Sequence, residues 1–317
     1  MRSRASSERG FALIAVLLVL AFMAIIGAEF AFAMRLEATA ARVYKENLIA
    51  GHLAEAALEQ AIREIAADYK FVGLGNENDA EADKECPLVF YGQAALPLKR
   101  LPRRNVPLGG GQFSYCITDE ESRINLNSAL PDRLHRLLEA VGVEKADRDT
   151  IIDSLADWRD PNEDHRLNGA ESEDTYLKMP VPYRSKNANL ESIAELAQIK
   201  GFTPRLLEGG DGKPGLLSLV TVVARTTVNV NTVGREVARA LNVGDAIFSN
   251  IEQTRRNFPI QNLSSYPPGF ATTSLTFRIE AQGIVEGQVR ARLTAVVQKR
   301  SENQGGGILM REWSGIR

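Results

Sequence analysis

Residues 11–28, FALIAVLLVLAFMAIIGA, run for eighteen residues without a charge. As a helix this stretch measures about 27 Å at roughly 1.5 Å per residue, close to the hydrocarbon thickness of a bilayer. Arg2, Arg4 and Arg9 precede it, and the positive-inside rule would leave them in the cytoplasm and export the chain beyond the apolar run. Apolar positions continue at Leu36, Ala40, Val43, Leu53, Ala57, Ala61 and Ile65, and the first proline is Pro87. This spacing predicts one helix from about 11 to 69, spanning a membrane with its first half (11–33) and lying on a globular body with its second. Two fates of the apolar run are open. AFAM at 31–34 offers a small-residue cleavage site that would remove it, whereas cleavage ahead of Phe11 would keep it as an anchor.

Charged residues make up 25% of the chain and the net charge is −2. That balance argues against a protein that wraps nucleic acid electrostatically. Two cysteines and three histidines leave no room for a Cys/His zinc cluster. No G-x-S-x-G, H-E-x-x-H or phosphate-binding glycine loop after a strand occurs. Asp153 and Asp157 fall one helical turn apart, a pairing common on solvated faces. The expectation is a non-enzyme.

Residues 71–111 are rich in Gly, Pro, Asn and charge and read as a long loop, with FSYCI after it as a short strand. Cys86 and Cys116 flank that loop. In an exported chain two cysteines usually pair, which would stabilise by roughly 3–4 kcal/mol; the alternative is two free thiols. An internal echo comes next. SRINLNSALPDRLHRLLEAVGV at 122 and TTVNVNTVGREVARALNVGD at 226 each carry an N-h-N step, a helix and a glycine, and NLESIAELAQIKGF at 189 is a looser copy. Helix, glycine turn, helix is a hairpin pattern, with hinges expected at Val141-Gly142-Val143, Lys200-Gly201-Phe202 and Val243-Gly244-Asp245. Some such hairpins bind DNA phosphates, but Glu139, Glu144, Asp147 and Asp245 surround these turns; the other reading is a packed helical bundle.

DWRDPNEDHRLNGAESED carries the densest chemistry. Numbered from Asp160, a twelve-residue loop has Asn162 third, Asp164 fifth, the Arg166 carbonyl seventh and Glu171 twelfth, the ligand spacing of an EF-hand. Asp157, Glu173 and Asp174 could add ligands or make a second site. The sixth position, usually glycine, is His165. A structural calcium ion is the expectation, with a solvated acidic loop as the alternative. SLTFRIEAQGIVEGQVRARLTAVVQKR, 274–300, alternates as two strands about Glu286-Gly287, and 301–317 reads as a loose tail.

The segment RGFALIAVLLVLA resembles the type III signal of type IV pilins and pseudopilins. That resemblance implies cleavage between Gly10 and Phe11 by a prepilin peptidase, a leader of residues 1–10, a methylated N-terminus and retention of the apolar helix. The fifth mature position, usually glutamate in pilin relatives, is Ala15, a departure shared by the minor pseudopilin K family of type II secretion. DEESRINLN, the DW-x-D loop, N-x-x-L-x-S-x-x-E-L and VNVNT, in that order, resemble the same family. The resemblance implies an α+β pilin-like fold: a long N-terminal helix on a small antiparallel sheet (34–123 and 266–300), with an inserted all-α, helix-hairpin-helix-like domain at 124–265. It also implies calcium in the insert, partnership with minor pseudopilins I and J and with inner-membrane lipid, a periplasmic globular part, and a place at the pseudopilus tip that starts or caps assembly. The runner-up is a membrane-anchored helix-hairpin-helix protein that handles DNA.

Overall fold

A computed structural model describes residues 5–75, 83–210, 212–301 and 305–316, with residues 5–10 described as helical backbone. The first element, α1, is a single helix of 61 residues from Ala5 to Ile65, about 90 Å long at the helical rise. It begins six residues before the expected start. Strong helix formers (Ala, Leu, Glu) and the absence of proline sustain it. Its two halves live in different surroundings. Phe11 to Leu36 present exposed apolar side chains throughout, and Val43, Tyr44 and Leu48 stay exposed further along. From Ala50 onward one stripe is buried: Ala50, Leu53, Ala54, Ala57, Leu58, Ala61 and Ile65.

That stripe lies on a five-stranded sheet. Three short strands come first, β1 (Phe71–Leu74), β2 (Leu88–Tyr91) and β3 (Val106–Leu108), then β4 (Gly111–Asp119). The region expected as a plain loop is therefore partly strand; β2, LVFY, is buried along its whole length, as a short apolar run permits. Cys86 and Cys116 are joined by a disulfide across thirty positions, fastening the approach to β2 onto β4.

The chain then leaves the sheet. The two-residue strand β5 (Ile124–Asn125) leads to helices α2 (Pro131–Ala140) and α3 (Lys145–Arg159). A 3-10 turn, Ile193–Gln198, carries a capping box from Ser192 and Glu195, and leads into α4 (Pro204–Glu208). A glycine hairpin of β6 (Gly209–Gly210) and β7 (Lys213–Pro214) comes next, then β8 (Val220–Thr221) and β9 (Val228–Asn229). Helices α5 (Arg235–Ala240) and α6 (Asp245–Arg255) and strand β10 (Phe270–Ala271) complete the insert. The chain re-enters the sheet as β11 (Thr276–Val285) and β12 (Gln288–Lys299), turning at Glu286 (φ 51°) and Gly287 (φ 74°). It ends in β13 (Ile308–Ile316). The sheet order is β13-β12-β11-β4-β3, antiparallel throughout.

Two boundaries differ from expectation. Residues 308–316 are not a loose tail: Gly305, Gly306 and Gly307 all adopt positive φ and turn the chain back onto β12, a conformation glycine adopts without steric cost. The insert closes with β10, which ends six residues beyond the expected limit, because Phe270 and Ala271 pair with Val228 and Asn229.

Among the described residues there are two apolar cores. One joins α1 to the sheet through Leu53, Tyr115, Ile117, Phe277, Ile279, Leu293 and their neighbours. The other lies wholly within the insert, between Ile124 and Phe270. The sequence echo is a structural repeat. Asn127 takes the N–H of Leu190 (2.9 Å) and donates to its carbonyl (2.8 Å); Asn231 does the same with Ile260 (2.6 and 3.1 Å). β5 pairs in parallel with β8, and β9 with β10. The hairpin turns carry left-handed residues at Gly142 (φ 85°) and Gly201 (φ 93°). In the last copy the turn falls on Asn242 (φ 62°) rather than on Gly244, which caps α6 in extended conformation; asparagine is among the few non-glycine residues that tolerate this region.

Candidate functional site

Two features invite function: the exposed apolar half of α1 and the acidic loop after α3. The first contains an eighteen-residue window of mean hydropathy 3.0 with none of its residues buried. It is long and apolar enough to cross a membrane, and with the folded body beyond it this indicates a membrane anchor with a soluble C-terminal part. Gly10 and Phe11 lie within the continuous helix, and Phe11 is exposed.

The acidic loop is built from α3 outward. Asp153 and Asp157 share one face of that helix. Asp153 accepts from the N–H and the side-chain amide of Asn168, each at 3.1 Å. Asp157 is fully buried. It accepts from the N–H groups of Ala170 (3.0 Å) and Arg166 (3.1 Å) and from the Arg166 guanidinium (2.6 Å). Gly169 makes this closeness possible, since a Cβ there would overlap the Asp157 carboxylate. The same guanidinium nitrogen reaches Asp160 at 2.6 Å. Asn162 turns its amide to Asp160 (2.9 Å), and Asp164, exposed, gives its N–H to Asn162 (2.8 Å). Glu171 is buried; Ser185 donates to its Oε2 at 2.6 Å, while Oε1 has no partner. Burial raises the Glu171 carboxyl above its usual range, and the charges of Asp157, Glu163 and Asp160 push it further up. Trp158, Tyr176 and Tyr183 pack beneath as an aromatic cluster.

The expected EF-hand register is not what forms. The Arg166 carbonyl accepts from the Gly169 N–H (3.0 Å), so it is not aimed at a centre, and Arg166 enters instead through its side chain. Among the described residues no three of His, Cys, Asp or Glu converge closely enough to enclose an ion. The physical reason is His165 in place of the sixth-position glycine: no described residue from 160 to 171 adopts the left-handed conformation that bend needs. The donor chemistry nevertheless suits a hard cation. The charges of Asp157, Glu163 and Asp160 act on Glu171, Arg166 pairs with Asp157 and Asp160, and a buried Glu171 oxygen is left without a donor. Sequence reading missed Glu163, which accepts from Ser172 (3.3 Å) and Asn187 (3.1 Å). It also missed Ser185, which no spacing rule marks.

The profile of the family described as type II secretion system (T2SS), protein K, matches residues 118–209, a span that contains this loop. The type II secretion system protein K of Pectobacterium carotovorum subsp. carotovorum is 28% identical over 273 residues, covering 79% of this chain and 72% of that protein. The Pseudomonas aeruginosa protein K is 26% identical over 251 residues, 74% of this chain and 68% of that protein. The chain is similar to type II secretion system protein K along most of its length. Against the putative protein K of Escherichia coli K12 the match is 25% identical over 239 residues and spans 66% of that relative's length. In fold, the chain is similar to the crystal structure of the GspK-GspI-GspJ complex from enterotoxigenic Escherichia coli. The TM-score is 0.56 at 16% identity, over 86% of this chain and 97% of the matched one. The DNA-binding alternative finds no support in these relatives. At the first hairpin turn the Lys213 amine fills the niche beside Gly142, with Glu144 and Asp147 lining the same cleft.

Proposed function

We propose that the chain is a minor pseudopilin that sits at the tip of a periplasmic pseudopilus, beside I- and J-type minor pseudopilins, and starts or caps its assembly. The observation that carries this is the placement of the insert. Tyr69 donates to the Ser274 carbonyl (2.9 Å) and Asn229 to the Val72 carbonyl (3.0 Å), so the insert joins the body at the C-terminal end of α1. The exposed apolar half lies at the other end. Arg42, nearer that half, pairs with Glu286 in the β11–β12 turn. A subunit with an anchor below and a second domain above can pack its rod among others, yet offers no clear surface for another subunit to stack on. Ala15, where a glutamate would pair with a neighbour's N-terminal amine, suits an end position. No step requires catalysis; the role is structural.

The insert is dispensable to the sheet by construction, because Asp119 and Phe277 are cross-strand neighbours and a short turn can replace 123–273. Combining that deletion with Ala15→Glu is expected to convert end-labelling of pseudopili in immunogold micrographs into labelling along their length. Labelling that stays at the ends refutes the steric account.

The acidic loop is read as a calcium staple. Asp157, Asp160, Asn162, Asp164 and Glu171 would hold the ion, which would supply the positive charge their carboxylates share. Calcium at about a hundredfold over its dissociation constant is expected to stabilise the fold by about 2.7 kcal/mol, measured by urea denaturation with and without chelator. Equal midpoints contradict the staple.

A further inference from the structure

Three consecutive carboxylates stand where the chain passes from sheet to insert, and all three are buried: Asp119, Glu120 and Glu121. Each is spent on a different part of the molecule. Asp119 Oδ2 accepts from Asn229 (3.0 Å) and Thr232 (2.6 Å) of the insert and from Ser274 (2.6 Å) at the re-entry point; Oδ1 takes the Glu121 N–H (2.8 Å). Glu121 Oε2 accepts from Arg225 of the insert (2.7 Å), and its Oε1 takes the N–H groups of Leu275 (2.9 Å) and Thr276 (3.1 Å), where β11 begins. Glu120 pairs with Arg123 on the way out (3.0 Å) and with Arg278 of β11 (2.6 Å). Arg225 completes the ring by donating to the Thr273 carbonyl (2.7 Å).

We propose that this acidic triplet is a lock that makes the insert and the sheet one rigid body. Domains joined by two crossings of the chain ordinarily move about those crossings unless a large apolar interface stops them. Here the apolar cores are separate, and what spans the seam is charge-assisted hydrogen bonding out of water, where such bonds are short and strong. Two crossings alone would leave a hinge axis through residues 119–124 and 271–276. The seam is also tied to the chain just after α1: Asn229, held by Asp119, donates to Val72 of β1, and Tyr69 donates to Ser274. Asn229 thus bridges β1 and both crossings at one point, through Val72, Asp119 and Ser274. Resting on the tip reading, the lock has a use: it keeps the insert over the end of the rod, where a hinged insert would swing aside and admit another subunit.

The test uses the full chain in detergent, with spin labels at the exposed positions Asp132→Cys on α2 and Arg292→Cys on β12. The unsubstituted lock is expected to give one narrow distance distribution. Glu121→Gln combined with Asn229→Ala is expected to broaden it, while circular dichroism shows both units still folded. If that variant does not fold, Arg225→Gln removes only the half-exposed arm on the insert side and is expected to broaden the distribution too. A distribution as narrow as the parent's in a folded variant overturns the lock. Tip placement is read separately: a broadened distribution with end-only labelling of pseudopili upholds the lock and overturns the steric tip reading.

Discussion

At the residue scale, the most consequential side chains are buried charges that do not contact the apolar anchor. Glu64 on α1 receives Arg103 at 2.7 Å and Tyr115 at 2.9 Å, and Arg103 also donates to the Cys86 and Leu88 carbonyls (3.2 and 3.1 Å). Arg103→Met would strand the Glu64 carboxylate out of water, at an expected cost of about 3–5 kcal/mol in chemical denaturation. Adding Glu64→Leu should recover part of that loss. Asp119 gives a pH signature. Burial lifts its carboxyl from 3.8 to about 6, although Ser274 and Thr232 donate to it. A carboxyl with a native pKa above its unfolded value holds its proton more tightly when folded. Its contribution is therefore complete below about pH 4 and is lost as the pH rises through about 6. Asp119→Asn lacks this titration. The stability gap between parent and variant is expected to shift in the parent's favour by up to about 3 kcal/mol on going from about pH 7 to about pH 4. A pH-independent gap refutes the assignment. Little of this was readable in the sequence. DEESRINLN served as a family signature, yet nothing in its spacing says that three successive acids are buried, because their partners lie some hundred positions away at Arg225 and Asn229 and further still at Ser274.

At the element scale, α1 and the sheet meet by backbone contact. A Cβ at Gly283 of β11 would overlap the Ala50 carbonyl of α1, and one at Gly111 would strike the Ile284 carbonyl. Alanines on the buried stripe permit this approach. Gly283→Ala must push helix and strand apart, so a loss of about 3 kcal/mol or more is expected, at the top of the overpacking range because the obstacle is main chain; a thermal melt within a degree of the parent's contradicts it. The outer strands are poor templates for pairing. β3 is three residues long with Pro107 at its centre, and β13 is irregular in register and carries Arg311 and Glu312, devices that discourage edge-to-edge association. Long periodic elements were legible: α1, and the β11–β12 hairpin with its Glu286-Gly287 turn. The short strands β1–β3 and the closing β13 were not. The first three are too brief to show alternation, and the triple glycine that redirects the chain into β13 has the composition of a linker.

At the scale of the whole molecule, a rod, a sheet and a bundle are arranged in series. Among the described residues the rod's first half is exposed, the sheet covers its second half, and the bundle keeps its own core at the far end. The order of parts was legible in the sequence because each has its own pattern: an uncharged run, period-two strands and a repeated N-h-N hairpin. How the bundle is held was not, since that depends on long-range polar contacts. The arrangement has a use only if the rod survives processing, and the intact mass of the protein purified from bacterial membranes tests this most directly. The expected mass is that of residues 11–317 with one added methyl group, placed on Phe11 by tandem fragmentation. A chain beginning beyond Ala33 would carry no anchor and would contradict the proposed role.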